Sequence, residues 1–259
     1  MADEIDFGLT AADYARHRLG FPDELFARLS ATGAGTAGQV VADVGCGTGT
    51  LGRGFARSGA SVIGIDPSTA LVDQAKALDA EAGVSIDYRI AAAEALELDT
   101  GSVDVVAAGQ CWHWFDPKAA AAEFRRVVRP GGWVAICYLD WLPYEGNVAA
   151  ATEALILEHN PSWAGADGTG FHPEVVEPLV GAGFIDVASF SFDLDLAYTH
   201  ESWRGRIRAS AGIGASLAPD AVAAFDAELA ALLEASFPGP ELPVHHRVWA
   251  MTARAAALD

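Results

Sequence analysis

The segment Val40-Val-Ala-Asp-Val-Gly-Cys-Gly-Thr-Gly49 restricts this chain more than any other stretch of it. An apolar run enters three glycines spaced Gly-x-Gly-x-Gly, and a helix-like stretch, Thr50–Ser58, follows. Glycine carries a backbone through positive φ without steric penalty and lets main chain approach a ligand closely. A second apolar run, Ser61–Ile65, ends in Asp66, roughly 20 residues after Asp43, where a carboxylate can accept from both hydroxyls of a ribose. Strand, glycine turn, helix, strand and acid, in that order, open a doubly wound α/β sheet with its ligand crevice at the carboxyl ends of the strands.

The alternation continues. Ser85–Ile90, Val103–Ala108 and Trp133–Tyr138 read as further strands, separated by helical patterns at Thr69–Ala82 and Pro117–Val128, the latter stopped by Pro130-Gly-Gly132. Strands alternating with helices predict a parallel sheet covered on both faces. Before it, Tyr14–Arg18 is helix-like, Gly20-Phe-Pro22 breaks the pattern, and Asp23 can cap a helix over Glu24–Leu29. After Tyr138 the pattern loosens into a helix (Gly146–His159), a Gly/Pro/Asp loop (Asn160–Phe171), a short helix (Pro173–Gly181) and a strand (Ile185–Phe192). A helix-rich stretch over 200–236 carries glycines at 205, 212 and 214, and Val244–Ala253 alternates as a last strand. One domain over 1–259 is expected: a helical cap (1–35), a ligand-binding core (36–140), helices and strand six (141–199), a helical lid (200–243) and the last strand (244–259).

Composition limits the partners. Sixteen basic against 35 acidic residues give a net charge of −19, which disfavours nucleic acid and anionic membrane surfaces. At 51% hydrophobic and 20% charged, the chain reads as globular rather than disordered. No apolar run approaches the roughly 18 residues of a membrane span. The start, MADEIDFGLT, lacks the basic-then-apolar layout of a secretion signal, so a cytoplasmic protein is expected. Cys46, Cys111 and Cys137 are odd in number and form no Cys-x-x-Cys, so neither a disulfide framework nor a metal site is expected.

The glycine spacing separates two ligands. The dinucleotide fingerprint Gly-x-Gly-x-x-Gly would need glycine at position 50, which is Thr50. Asp43 also sits poorly beside a pyrophosphate but suits the α-ammonium of an amino-acid moiety. At this point the chain resembles, over nearly its whole length, the class I S-adenosylmethionine-dependent methyltransferases. VADVGCGTG resembles their first motif and GIDPS (64–68) the acidic end of their second strand. IAAAEAL (90–96) resembles the segment flanking the adenine, and VDVVAAGQCWHWFD (103–116) with RRVVRPGGWVAI (125–136) resembles strands four and five. YARHRLGFP (14–22) looks like the cap of a small-molecule subgroup that carries an HWF signature, to which trans-aconitate-type enzymes belong. Two departures stand out: Ala91 and Ala92 replace a more usual Gly and Ser or Asp, and Leu19-Gly20 replaces an Arg-Pro-Ser run.

The resemblance implies a Rossmann-like, mostly parallel, seven-stranded sheet with a helical N-terminal cap and a helical lid before the last strand. It implies S-adenosyl-L-methionine as cofactor and S-adenosyl-L-homocysteine as product. The cofactor's amino-acid end would lie over Asp43, Gly45, Cys46, Gly47, Thr48 and Gly49. Its ribose would sit on Asp66, with Pro67 and Ser68, and its adenine near Ala92, Ala93 and Glu94, with Gln110 and Trp112 alongside. Asp66 has a plainer alternative, since Asp-Pro-Ser is also a good helix start. His113 is the general-base candidate, against a histidine packed between two tryptophans. Of Trp112 and Trp114, alternation lets one wall the transfer chamber. Tyr14 and Arg18, four apart on the cap helix, share a face and are candidates for the cofactor carboxylate or the acceptor, against a surface ion pair. Tyr138, Asp140 and Trp141 follow strand five and are candidates for acceptor binding. Arg204 and Arg208 share a helix face and would favour an anionic acceptor, against a solvated face pairing with acids. His245 and His246 face opposite sides of the last strand and read as structural.

The expected activity is methyl transfer to a small-molecule acceptor, at an oxygen of a carboxylate or hydroxyl, by a monomer or homodimer. The alternatives are a nicotinamide-dependent oxidoreductase and a protein that binds the cofactor without methylating.

Overall fold

The computed structural model describes residues 19–257. Tyr14 and Arg18 lie outside the described residues. Helix α1 (Asp23–Thr32) precedes β1 (Val40–Val44), α2 (Thr50–Arg57), β2 (Ser61–Ile65), α3 (Thr69–Ala82) and β3 (Asp87–Arg89). Then come β4 (Val103–Gly109), α4 (Pro117–Val127), β5 (Val128–Trp141), α5 (Val148–His159) and α6 (Val176–Gly181). The chain closes with β6 (Phe184–Tyr198), α7 (His200–Arg208), α8 (Pro219–Ser236) and β7 (Leu242–Ala255). Single 3-10 turns occupy Trp112–Trp114 and Pro173–Val175.

The seven strands form one sheet in the order β3-β2-β1-β4-β5-β7-β6. β1 pairs in parallel with β2 and β4, β2 with β3, and β4 with β5. The order reverses beside β1, so β1 and β4 flank the switch point where ligands of open α/β sheets bind.

Local chemistry sets the element ends. Asp116 caps α4, accepting from the amides of Lys118 and Ala119, both at 3.0 Å. Thr199 and Ser202 form a reciprocal capping box on α7. α1 begins one residue before the expected stretch, with Pro22 at its N-cap and Asp23 in its first turn. Pro130-Gly-Gly132 does not separate helix from strand as its composition suggests. β5 starts directly after α4 and bulges there: Val103 pairs with Val128, but Val105 pairs with Trp133. Proline has no donor for the ladder, so it fits a bulge. Gly132 is needed because a Cβ there would stand 2.6 Å from the Asp104 carbonyl oxygen. The 200–236 stretch is two helices, with Gly212 and Gly214 in the segment joining them.

The chain divides into two compact units. One comprises Gly20–Leu139, His172–Phe192 and 248–257 of the described chain. Its core joins strand residues Ala42, Val44, Ile65, Val106 and Ile136 to Phe124 of α4 and Met251 of β7. The other comprises Leu19, Asp140–Phe171 and Asp193–Arg247. Its core packs Ile156 of α5, Trp203 and Ile207 of α7, and Phe225, Leu229 and Leu233 of α8.

In the first unit α1 lies hard against α2. A Cβ on Gly54 would stand 1.8 Å from the Phe26 ring, which is itself packed edge-on to Phe55. Gly54→Ala should therefore destabilise by about 1–3 kcal/mol despite alanine's better helix propensity. Phe26→Leu in the same chain should recover part of that loss. Thermal denaturation of the two single variants and the double variant checks it.

Candidate functional site

The carboxyl ends of β1 and β2 meet at the glycine turn. Gly45, Gly47 and Gly49 have φ of 64°, 54° and 78°. A Cβ on Gly45 would stand 2.8 Å from the Cys111 sulfur, and one on Gly49 2.5 Å from the Tyr88 hydroxyl. The turn is held from inside. Gly49 N–H donates to the Cys46 carbonyl (2.8 Å), Cys46 N–H to the Ile65 carbonyl (3.1 Å), and Gly47 N–H to Asp66 Oδ2 (2.8 Å). Those three amides are thus turned inward rather than presented to an anion, the opposite of a phosphate cradle. Thr48, between them, is buried.

Two carboxylates form the floor. Asp43 is 1% exposed; its Oδ2 accepts from Gly52 N–H at 2.8 Å, and its Oδ1 has no hydrogen-bond partner. Burial pushes the Asp43 carboxyl up to about 7; the Gly52 bond opposes this, the nearby Asp66 charge adds to it, and Arg53 opposes it. Asp66 Oδ1 accepts from Ser68 N–H at 2.9 Å, so the acid serves as a turn former and as a clamp on Gly47. Burial raises its carboxyl too, against those two bonds. An ionised carboxylate offers about four acceptor sites. Two are used at Asp66, which leaves one on each oxygen for a ligand hydroxyl.

After β3, Ala92 is exposed and Ala93 buried, with Ile90 beside them half exposed. Glu94 Oε1 accepts from Asp116 N–H at 2.9 Å and ties this loop to the start of α4. Pro67 and Ser68 lead into α3, where the Ser68 hydroxyl accepts from Leu71 N–H at 3.4 Å. After β4, Gln110 has a positive φ of 61°, donates its backbone N–H to the Cys137 carbonyl at 2.9 Å and hydrogen-bonds Leu139 through its side chain. Trp112 is buried against Phe115 and Phe124 and belongs to the core. Trp114 is 44% exposed and lies against His113, ring centroids 4.6 Å apart. His113 is exposed, and its Nδ1 is 3.4 Å from the Tyr138 hydroxyl.

Tyr138 brings in two residues for which the sequence offered no motif. Its ring stacks on His172 at 3.5 Å and 12°, and His172 Nδ1 lies 3.0 Å from Glu174 Oε1. Trp249 of β7 meets the His172 ring edge-on at 5.6 Å. His172 stands at the end of a Gly/Pro/Asp loop and Trp249 within an alternating strand, so neither position is distinctive in sequence.

In the second unit, Trp141 donates its indole N–H to Glu153 Oε1 at 2.6 Å, and Glu153 Oε2 accepts from Asp167 N–H. Burial raises the Glu153 carboxyl. Asp140, next to Trp141, is among the charges that act on His246. Arg204 and Arg208 converge on Asp226: Arg204 Nε to Oδ1 at 3.0 Å and Arg208 Nη1 to Oδ1 at 2.7 Å. Burial works against ionising Asp226, yet these bonds outweigh it and hold its carboxyl below the usual range. The ion-pairing alternative therefore describes both arginines, because their donors are already engaged. Arg206, on another face, lies over the Trp141 ring at 4.9 Å. His245 pairs with Asp195 at 2.7 Å. His246 is buried, stacked on Tyr198, and its pKa is lowered to about 4 by burial.

Cys46, Cys111 and Cys137 are buried, and the Cys111 thiol donates to the Val44 carbonyl at 3.2 Å. Among the described residues no group of three His, Cys, Asp or Glu side chains is placed to hold a metal ion, and no helix is long and apolar enough to cross a membrane.

Residues 42–136 match the family described as "Methyltransferase domain". The ubiquinone biosynthesis O-methyltransferase of Xanthomonas oryzae pv. oryzae is 32% identical over 176 residues, 67% of this chain and 72% of that protein. Among solved structures, Haemonchus contortus phosphoethanolamine N-methyltransferase 2, in complex with phosphomonomethylethanolamine and S-adenosylhomocysteine, aligns with a TM-score of 0.55 at 20% identity. That alignment covers 97% of this chain and 57% of the other. The cyclase SpnF aligns with a TM-score of 0.55 at 21% identity, covering 93% of this chain and 84% of the other. At these identities the two structures share the fold.

The raised Asp43 carboxyl has a consequence for the ligand-free protein. Its folded value near 7 exceeds its ordinary 3.8, so the folded state holds the proton over that interval while the unfolded state has lost it. Stability therefore falls as pH rises from about 4 to about 7, by a total on the order of 4 kcal/mol. Asp43→Asn removes this dependence. Between about pH 5 and about pH 8 the wild-type melting temperature should fall further than that of the variant, by on the order of 5 °C. Scanning calorimetry of both proteins across that range checks it.

Proposed function

This chain belongs to the class I S-adenosylmethionine-dependent methyltransferases, and from that premise we propose that it methylates a hydroxyl oxygen of a small-molecule acceptor. The observation that carries the choice of acceptor is His113 beside the Tyr138 hydroxyl, on the loop after β4 and at the end of β5. A carboxylate acceptor needs no base, whereas a hydroxyl must lose a proton as its oxygen takes the methyl group. The similarity to an O-methyltransferase over 72% of that protein supports oxygen as the atom.

The residues present fit the cofactor. Asp43 Oδ1, buried and without a partner, suits the ammonium of its amino-acid end. The inward-turned amides of the glycine turn suit a ligand without a pyrophosphate there. The two remaining acceptor sites of Asp66 suit a pair of ribose hydroxyls, and Ala92 with Ile90 offers an apolar face for the adenine. When bound, S-adenosylmethionine supplies an electrophilic methyl group on a sulfonium.

The chain's own residues do the remaining work. With Nδ1 of His113 donating to the Tyr138 oxygen, the lone pair stands on Nε2, which takes the acceptor's proton. Tyr138, held by its stack on His172, fixes the imidazole orientation. Trp114 offers an exposed indole face to the acceptor or to the sulfonium charge. Holding acceptor and methyl group close and aligned supplies most of the rate.

Wild type should bind S-adenosylhomocysteine at micromolar concentrations by titration calorimetry, and Asp66→Ala should lose that binding. Incubated with S-adenosylmethionine and a panel of small hydroxyl and carboxylate compounds, wild type should release S-adenosylhomocysteine with hydroxyl compounds. His113→Ala should slow that turnover about 100-fold with unchanged affinity for S-adenosylhomocysteine. Turnover with carboxylates alone, or a His113→Ala protein as fast as wild type, overturns the hydroxyl assignment.

A further inference from the structure

Beneath the glycine turn lies a buried polar cluster that the chemistry above does not use. Arg53 of α2 is 8% exposed and Asp79 of α3 is 4% exposed. Arg53 Nη1 donates to the Thr48 carbonyl at 2.6 Å and to Asp79 Oδ1 at 3.0 Å. The same Nη1 and the Tyr88 hydroxyl of β3 occupy the space next to Gly49, 2.9 and 2.5 Å from where its Cβ would be. The Tyr88 hydroxyl is buried beside Asp79, whose charge and hydrogen bond add to burial in holding the phenol in its neutral form.

This is a poor arrangement for stability alone. Desolvating two charges offsets most of their attraction, and an apolar pair of similar volume often serves as well. What an apolar pair would not supply is the bond to the Thr48 carbonyl, in the middle of the turn.

We propose that the Arg53–Asp79 pair positions the cofactor. Asp79 braces Arg53, Arg53 fixes the Thr48 carbonyl and with it the Gly47–Gly49 turn, and the guanidinium charge offsets the Asp43 carboxylate of the floor. The inference rests on the reading of that floor as the S-adenosylmethionine site.

The electrical part follows from what surrounds Asp43. Asp66, at the end of β2, opposes its ionisation, and Arg53 of α2 favours it. Cys46 in the turn, Cys137 of β5 and Tyr88 of β3 also feel the Asp43 charge, and burial drives all three strongly toward their neutral forms. Arg53 is thus the cation among the groups named here. Neutralising it moves Asp43 titration to higher pH, and the ammonium of the ligand then finds its carboxylate only in more alkaline solution.

The test is calorimetric titration with S-adenosylhomocysteine from about pH 6 to about pH 9, together with melting of each ligand-free protein. The proteins are wild type, Arg53→Gln, Arg53→Lys and the double variant Arg53→Met/Asp79→Leu. Wild-type affinity should rise with pH around a midpoint near the Asp43 value of about 7. In Arg53→Gln the midpoint should move up by about half a unit or more. The double variant should fold, share that shift, and bind about tenfold more weakly near neutral pH, the worth of one hydrogen bond to a charged group. Arg53→Lys keeps the charge but not the forked geometry, so its midpoint should stay while its affinity falls.

Folded neutral variants with wild-type affinity and midpoint overturn the proposal and leave the cofactor assignment intact. If neither neutral variant folds, Arg53→Lys decides, and wild-type affinity there overturns it. Failure of wild type to bind S-adenosylhomocysteine overturns both this inference and the function on which it rests.

Discussion

The buried carboxylate of Asp43 is the interaction around which the ligand end of this sheet is arranged. A carboxylate in that position has lost its water, keeps one backbone donor and leaves its second oxygen unsatisfied. Such a group costs free energy in the empty protein, as its upward-shifted titration expresses. The neighbourhood is consistent with that tension. Gly52, whose amide supplies the one bond, has no room for a side chain, since its Cβ would stand 2.9 Å from Asp43 Oδ2. The Gly47 amide is drawn to Asp66, and the three amides most available to an anion are used inside the turn. Negative charge on the floor and inward donors above it select for a cation-bearing ligand and against a phosphate-bearing one.

The second unit handles its charges differently. Three of its acids have partners: Asp226 in Arg204 and Arg208, Asp193 in Arg247, and Glu153 in an indole and an amide. In the first unit Asp43 Oδ1 is buried beside the glycine turn without a hydrogen-bond partner. An unsatisfied buried carboxylate oxygen is costly, and the cationic ligand proposed above would satisfy it.

Most of the nucleotide-binding half was legible in the sequence, because its constraints are local. Three glycines at positive φ, an apolar strand before them and Asp66 after the next strand depend only on neighbours in the chain. What was not legible depends on contacts distant in sequence. Arg204 and Arg208 share a helix face as their spacing requires, but whether that face meets an acceptor or Asp226 depends on α8, about 20 residues on in the chain. Trp112 and Trp114 differ by two positions, and only packing against Phe124 shows which one enters the core. His172 comes to Tyr138 through a loop whose composition signals a turn and nothing more. The bulge at Pro130-Gly-Gly132 misled for a related reason. These residues break a helix in any context, but here the strand pairing of Val128 with Val103 begins before they are reached.

The methyl-transfer chemistry and the cofactor floor place opposite electrostatic demands on neighbouring strand ends. At β1 and β2 the chain holds carboxylates in a dry environment with raised titration, a cost that the proposed cationic ligand would repay. At β4 and β5, His113 is exposed beside Trp114, and the Tyr138 hydroxyl lies 3.4 Å from its Nδ1. His246 shows the alternative within the same chain: buried and stacked, its imidazole is driven to about 4 and no longer serves as a base at neutral pH. The proposed division of labour accordingly sets cofactor binding on a buried floor and proton removal on an exposed imidazole.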